Sequence, residues 1–463
     1  MNLYQQDTNY VHNGSLQHCK NTKNYIVFII ENACKQKPNV ECKLWILMYL
    51  GQDCFDTEII KKIQDHDCRT KEDIEDYYKS YLYTSTLPLY IETSSMSLSA
   101  KSILNDDFMA FTKFKIMNDA VLVAAYKGYI KYLQAIQDTG FNIAQVTYAE
   151  WTPVHAAVFN NNLSCLHLLL NAGCDFEKIN NDGDTPAHIA ATHGNDMFLR
   201  MLKYLKCDLQ NINNDGNTPA YIAAWCGHTD CLRVLKDAGC NLEKTRNDGG
   251  TPAHAAAQNG HVDCLCVLKE AGCNLEQKCD RYFGGRTPAS FAAENGHESC
   301  LRLLHDAGCD LRQTDDDGET LACIAAFCGH TDCLRVLKDA GCDLGQTINY
   351  DRTPAHKAAQ NGHIDCLRVL KDAGCDLEHV DEFGFTPVCS AACYGHYKCL
   401  ILLKDYGCDL EKADNNGMTP AHWAASGGYI DCLRVLKEAG CDFEKKNDFG
   451  FTPAYIASVN RKK

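Results

Sequence analysis

The sequence predicts an all-α fold: a solenoid of 33-residue units, each a helix, a turn, a second helix and a β-hairpin, with a small helical region ahead of it. Three observations carry that prediction. Thr-Pro pairs begin at Thr152, Thr185, Thr218, Thr251, Thr287, Thr353, Thr386, Thr419 and Thr452, with Thr320-Leu321 in the one gap. Every step is 33 residues except one of 36, between Thr251 and Thr287, where Asp280–Gly285 includes three extra residues. Ala stands five residues after each Thr, and apolar residues follow at positions 13, 14, 16 and 17, the spacing of one helical face.

Residues 1–117 show no repeat. Apolar spacing predicts helices over Tyr25–Lys35, Val40–Leu50, Phe55–Gln64 and Ile74–Leu82, the last opened by a capping box at Thr70-Lys71-Glu72-Asp73. Thr84–Ser99, rich in Ser and Thr, reads as a linker. Ile103–Ile116 reads as a helix leading into the array, and the whole region as a cap over the exposed end of the solenoid. The array spans 118–463: a degenerate copy opens at Asp119, giving ten full units, and a truncated one ends at Lys463.

Within a unit each recurring residue has a physical reason. Thr caps the first helix through its hydroxyl, and Pro takes the first helical position, where no amide hydrogen is missed. Ala at the fifth position lets neighbouring first helices approach closely. Gly at the ninth (Gly227, Gly260, Gly329, Gly362) ends the helix in a tight turn. Asp is expected to cap the second helix, as in Asp263-Cys264-Leu265 and Asp365-Cys366-Leu367. A second Gly (Gly239, Gly341, Gly374) closes the unit before a polar hairpin such as Asn247-Asp248-Gly249-Gly250. Lys206 occupies the place of that second Gly, where a left-handed backbone is expected.

The motif Asp/Asn-x-Gly-x-Thr-Pro-Ala-His-x-Ala-Ala-x-x-Gly-His, followed by Cys-Leu-x-x-Leu and Ala-Gly-Cys-Asp-Leu, resembles the ankyrin repeat over about residues 118–463. It departs from that family in register. Ala or Val replaces the Leu after Thr-Pro, Cys replaces Ala and Val, and Glu177, Glu243, Glu276, Glu378, Glu411 and Glu444 stand where the family often has Asn. The resemblance implies a non-catalytic scaffold, adaptor or inhibitor that binds one or more proteins on its concave face.

Composition narrows the classes. The formal charge of −15, acidic in both the first 118 residues and the rest, argues against nucleic-acid binding. Its longest apolar runs, Tyr25–Ile30 and Leu44–Leu50, fall short of the roughly 20 residues of a membrane span, and no signal peptide is visible at the N-terminus. An intracellular, monomeric protein is expected, and the sequence is also compatible with export by a route without a signal peptide. Of the 29 cysteines, 17 fall on positions 13 and 22 of the repeat. Equivalent residues of adjacent units should lie about one helix diameter apart, roughly 10 Å, against the ~7 Å that a disulfide allows. Reduced structural thiols are expected, with no metal and no cofactor. The second reading places activity in residues 1–117, where Cys19, Cys34, Cys42, Cys54 and Cys68 occur with His12, His18 and His66 as bases.

The candidate binding surface is the variable side of the first helix and the hairpins. Cys226–Cys240 recurs letter for letter as Cys328–Cys342, so the second helix belongs to the scaffold. Positions 4, 7 and 8 vary from unit to unit and carry Phe159, Trp225, Phe291, Phe327, Tyr394 and Trp423. The hairpins add Trp151, Tyr282, Phe283, Tyr350, Phe383, Phe385, Phe449 and Phe451. Aromatic residues dominate interface hot spots, so these side chains are the expected partner contacts.

Overall fold

A computed structural model describes residues 118, 121–138, 140–147, 150–280 and 284–460. The helices, cap, linker and Cys/His candidates expected within 1–117 lie outside the described residues, as do Tyr282 and Phe283. The chain divides into two compact units, Met1–Asp208 and Leu209–Lys463.

In the first unit, helix α1 (121–127) turns at Gly128 into α2 (Ile130–Asp138). Two helix pairs follow: α3 (Pro153–Phe159) with α4 (Leu166–Asn171), and α5 (Pro186–His193) with α6 (Asp196–Tyr204). Its core is Leu133, Ile143, Leu169, Phe198, Leu199 and Leu202. Phe198 holds position 13, which is Cys in the other complete Thr-marked units.

The second unit repeats one hairpin of helices. First helices are α7 (Pro219–Cys226), α9 (Pro252–Gln258), α11 (Pro288–Glu294), α13 (Leu321–Cys328), α15 (Pro354–Asn361), α17 (Pro387–Tyr394), α19 (Pro420–Gly427) and α21 (Pro453–Asn460). Between them lie the second helices α8 (Thr229–Asp237), α10 (Val262–Glu270), α12 (Glu298–Asp306), α14 (Thr331–Asp339), α16 (Ile364–Asp372), α18 (Tyr397–Asp405) and α20 (Ile430–Glu438). First helices stack on first helices, and second on second. The fifth-position Ala (Ala223, Ala256, Ala292, Ala325, Ala358, Ala391, Ala424) is fully buried at that contact. Leucines at positions 14 and 17, such as Leu232, Leu235, Leu265 and Leu268, are fully buried on the inner face of the second helices. Each contributes about 1.5–3 kcal/mol on burial.

Thr hydroxyls accept from the third backbone N–H of the first helix, as Thr218 does from Tyr221 at 3.1 Å and Thr386 from Cys389 at 3.2 Å. The ninth-position Gly is left-handed, and the next unit's turn residue packs on it. A Cβ on Gly260, Gly296, Gly329 or Gly362 would lie 2.5 Å from the ring of His297, His330, His363 or His396. Lys206 has φ 62°, the left-handed backbone expected there, with its side chain exposed.

Two expectations are corrected. Asp does not cap the second helix: the cap residue is the turn His (His228, His261, His330, His363), with no side-chain capping bond. The helix starts two residues earlier than expected, because the left-handed Gly has already reversed the chain. Asp is therefore the second helical residue, where it faces the positive end of the helix and pairs with Arg three residues on. Asp230–Arg233, Asp365–Arg368 and Asp431–Arg434 lie at 3.0, 2.9 and 3.0 Å. The hairpins, too, contain no strand among the described residues, only isolated bridges at Thr314–Thr320 and Ile348–Arg352. A buried Asp or Asn closes five of the loops instead, at Asn180, Asp315, Asp381, Asp414 and Asn447. Asp381 Oδ1 accepts from the N–H groups of Phe383 at 2.9 Å and Phe385 at 2.8 Å, which uses the donors a strand would pair.

Candidate protein-interaction surface

Position by position, the aromatic residues divide into exposed and packed. In the first unit Phe159 is buried, between Tyr126 at 6.1 Å, Trp151 at 5.8 Å and His193 at 4.2 Å between ring centres. That burial removes Phe159 from the candidate surface: an aromatic ring at position 7 folds into the gap between neighbouring units when aromatic partners flank it. Trp151 remains half-buried against it.

In the second unit Phe327 is 42% exposed, with Lys357 Nζ 5.5 Å above its ring and held by Glu319 at 2.7 Å. Trp225 is half-buried and stacks on Tyr221 at 6.2 Å, whose hydroxyl accepts from Arg246 at 3.0 Å. Trp423 packs on Phe385 at 5.0 Å and donates its indole N–H to buried Asp414 at 3.1 Å. Phe291, half-buried, meets His254 edge-on at 5.7 Å. Tyr394 is exposed at the end of α17. At the hairpins Tyr350 and Phe383 are exposed with rings 5.5 Å apart, and Phe449 and Phe451 are exposed, Phe451 stacking on Tyr455 at 4.6 Å.

The family model for ankyrin repeats (3 copies) matches residues 121–211, 198–279, 268–348, 289–381, 341–414, 356–447 and 402–463. The chain belongs to the ankyrin-repeat family. A crystal structure of the human ASB11 ankyrin repeat domain is similar at 23% identity and a TM-score of 0.42, covering 45% of this chain and 92% of that one. No curated protein matches. Ankyrin repeats are generally protein–protein interaction modules and typically non-catalytic.

Polar residues of the ankyrin motif tie the units together. His254 Nδ1 accepts from the Thr251 N–H at 3.1 Å, while its Nε2 reaches the Arg286 carbonyl of the following unit at 3.2 Å. His155, His356 and His422 repeat this arrangement with Asp184, Phe385 and Phe451. Burial lowers the pKa of His155, His254 and His356 to about 4. Turn histidines reach back: His261, His297, His330 and His363 contact the carbonyls of Trp225, Gln258, Glu294 and Phe327 at 2.9–3.0 Å. The glutamates that replace the family's Asn form a third link. Glu276 and Glu378 accept from the backbone N–H of Asp310 and Asp409 in the following unit, both at 2.6 Å.

All described cysteines are free thiols. Those at position 13 are buried, and burial pushes Cys300, Cys333, Cys399 and Cys432 up to about 12. At position 22 the thiols of Cys342 and Cys441 lie 3.6 and 3.7 Å from the carbonyls of Leu311 and Leu410. These thiols are scaffold parts held protonated, the opposite of an activated nucleophile. Among the described residues, no group of three or more His, Cys, Asp or Glu is placed to hold a metal ion. A shallow groove of about 400 Å³ on the second-helix side, lined by Cys266, Lys269, Glu270, Ser299, Arg302, Leu303 and Asp306, contains no nucleophile–histidine pair. No helix among the described residues is long and apolar enough to cross a membrane.

Proposed function

We propose that the protein is a non-catalytic scaffold or adaptor, and that its partner protein docks on the concave face formed by the first helices and hairpins. The observation that carries this reading is the separation of a more variable from a less variable surface. Exposed or half-exposed aromatics, Trp225, Phe327, Tyr350, Phe383, Tyr394, Trp423, Phe449 and Phe451, gather on the side whose residues change from unit to unit. The second helices repeat TDCLRVLKD without change at Thr229–Asp237 and Thr331–Asp339, and identical faces do not select a partner. So many exposed aromatic rings are costly on an idle surface and productive at an interface.

The test is capture from lysate by the immobilised full chain, followed by affinity measurement on the captured protein with Trp225→Ala, Phe327→Ala and Trp423→Ala. Each substitution should weaken binding by over ~1 kcal/mol at a hot spot. Phe327→Ala should retain melting, because its ring is exposed and the buried Leu and Ala positions are untouched, whereas Trp423→Ala leaves buried Asp414 without its indole donor and should melt somewhat lower while still folding. Trp423→Phe is the companion variant: it keeps the packing on Phe385 and loses only the bond to Asp414. Unchanged affinity in all three alanine variants overturns the placement.

A further inference from the structure

Four second helices, α8, α14, α16 and α20, pair an Asp at position 12 after the Thr with an Arg at position 15 on their outward face. Helix α18, between the last two, departs from this at both places. Lys398 stands where its neighbours have Asp365 and Asp431, and Ile401 where they have Arg368 and Arg434. The charge at position 12 is reversed and the guanidinium is gone. Lys398 is exposed and has no ion-pair partner among the described residues.

An apolar patch takes the place of the pair. Tyr397 and Ile401, one turn apart on α18, are 37% and 42% exposed, and Ile430, at the place of Tyr397 in α20, is 66% exposed. Thr229, Glu298 and Thr331 hold that same position in α8, α12 and α14. Helices α18 and α20 stack on each other, so the three apolar side chains flank the furrow between them.

We propose that the furrow between α18 and α20 seats an amphipathic helix of a partner protein that carries a carboxylate beside its apolar stripe. This contact is separate from the surface of first helices and hairpins and goes beyond that reading. Three features select the occupant. The backbone groups of α18 and α20 are bonded within their own helices, so this face has no strand edge to pair and is engaged through side chains. Tyr397 and Ile401 form an i, i+4 ridge, which a partner helix meets with a ridge of the same spacing. Lys398 lies three residues before Ile401 on the same face, and a partner carboxylate there supplies the charge that Asp365 and Asp431 supply in the neighbouring units. Other occupants match less well. A second copy docked about a twofold axis would set Lys398 and the exposed Lys404 against their own counterparts. An anionic membrane would meet the exposed Asp365, Asp405 and Asp431 around a small patch, on a chain of formal charge −15.

The experiment titrates the full chain into fluorescein-labelled, helix-stapled peptides of about 18 residues and follows anisotropy. The first peptide has Leu along one i, i+3, i+4, i+7 stripe flanked by Glu. The second has the same stripe flanked by Lys, and the third keeps the first composition with its Leu residues scattered around the helix. The first should bind, and the other two at least about tenfold more weakly. Lys398→Asp combined with Ile401→Arg gives α18 the pair that its neighbours use, so melting temperature should hold or rise while binding of the first peptide falls about tenfold or more. No binding of the first peptide, equal binding of the Glu and Lys peptides, or undiminished binding by the double variant overturns the proposal. A concentration-dependent dimer in sedimentation that the double variant abolishes also overturns it, since the occupant is then a second copy. Peptide binding lost in Phe327→Ala but kept in the double variant places the peptide on the first helices: this inference then fails and the protein-binding reading stands.

Discussion

Lys206 and the ninth-position glycines show how one residue sets a local free energy. A non-glycine residue at φ 62° carries about 1 kcal/mol of backbone strain, and the Lys206 side chain is exposed, so Lys206→Gly should raise the urea midpoint. Added freedom in the unfolded chain offsets part of that gain. A lowered midpoint would mean that Lys206 makes a stabilising contact that Gly loses. Gly329 and Gly341 separate two costs. Both are left-handed, but a Cβ on Gly329 would lie 2.5 Å from the His363 ring, whereas one on Gly341 meets nothing within 4 Å. Gly341→Ala should cost about 1 kcal/mol, and Gly329→Ala that plus roughly 1–3 kcal/mol of overpacking. Equal losses in chemical denaturation would contradict the packing role of the turn histidines. The turn at Lys206 is legible in the sequence, because register alone identifies it. The second demand on Gly329 is not, because His363 comes from the next unit.

At the scale of the element, the helices are legible in the sequence and their starts and joints less so. Thr-Pro locates every complete first helix that carries it, since cap and first position are local chemistry. Asp365 has the residue type of a cap, but the left-handed Gly362 moves the helix start back to Ile364. Strands are expected from the hairpin pattern where a buried Asp, such as Asp381, closes the loop with its own carboxylate. The capping histidines make these joints pH-sensitive. His155, His254 and His356 have folded pKa values of about 4, against 6.5 when free. Between those values the unfolded chain binds more protons, so stability is complete above pH 6.5 and falls as pH drops toward 4. The loss amounts to roughly 2–3 kcal/mol for each histidine. Melting temperature should fall across that window, and His356→Gln should flatten the part between about pH 6.5 and 5, where carboxylates stay ionised. A wild-type profile without slope there would contradict neutral capping imidazoles.

Across the whole molecule, the repeat register encodes both the array and the separation of its cysteines, because spacing in the sequence maps onto spacing between units. Alkylation under denaturing conditions without reductant should modify all 29 cysteines. Under native conditions the buried position-13 thiols, held at about 12 in Cys300 and Cys333, should react slowly. Several intact disulfides would overturn the reduced scaffold. The candidate surface is only partly legible. Position alone puts Phe159 and Phe327 on the same stripe, yet one is buried among three rings and the other is open, a difference set by neighbouring units. The most direct test of protein binding by the first helices and hairpins is hydrogen–deuterium exchange of the full chain with and without its captured partner. Protection is predicted in the hairpin tips and in the first helices α7, α13, α15, α17 and α19. Protection confined to the second helices α8 to α20 would contradict it.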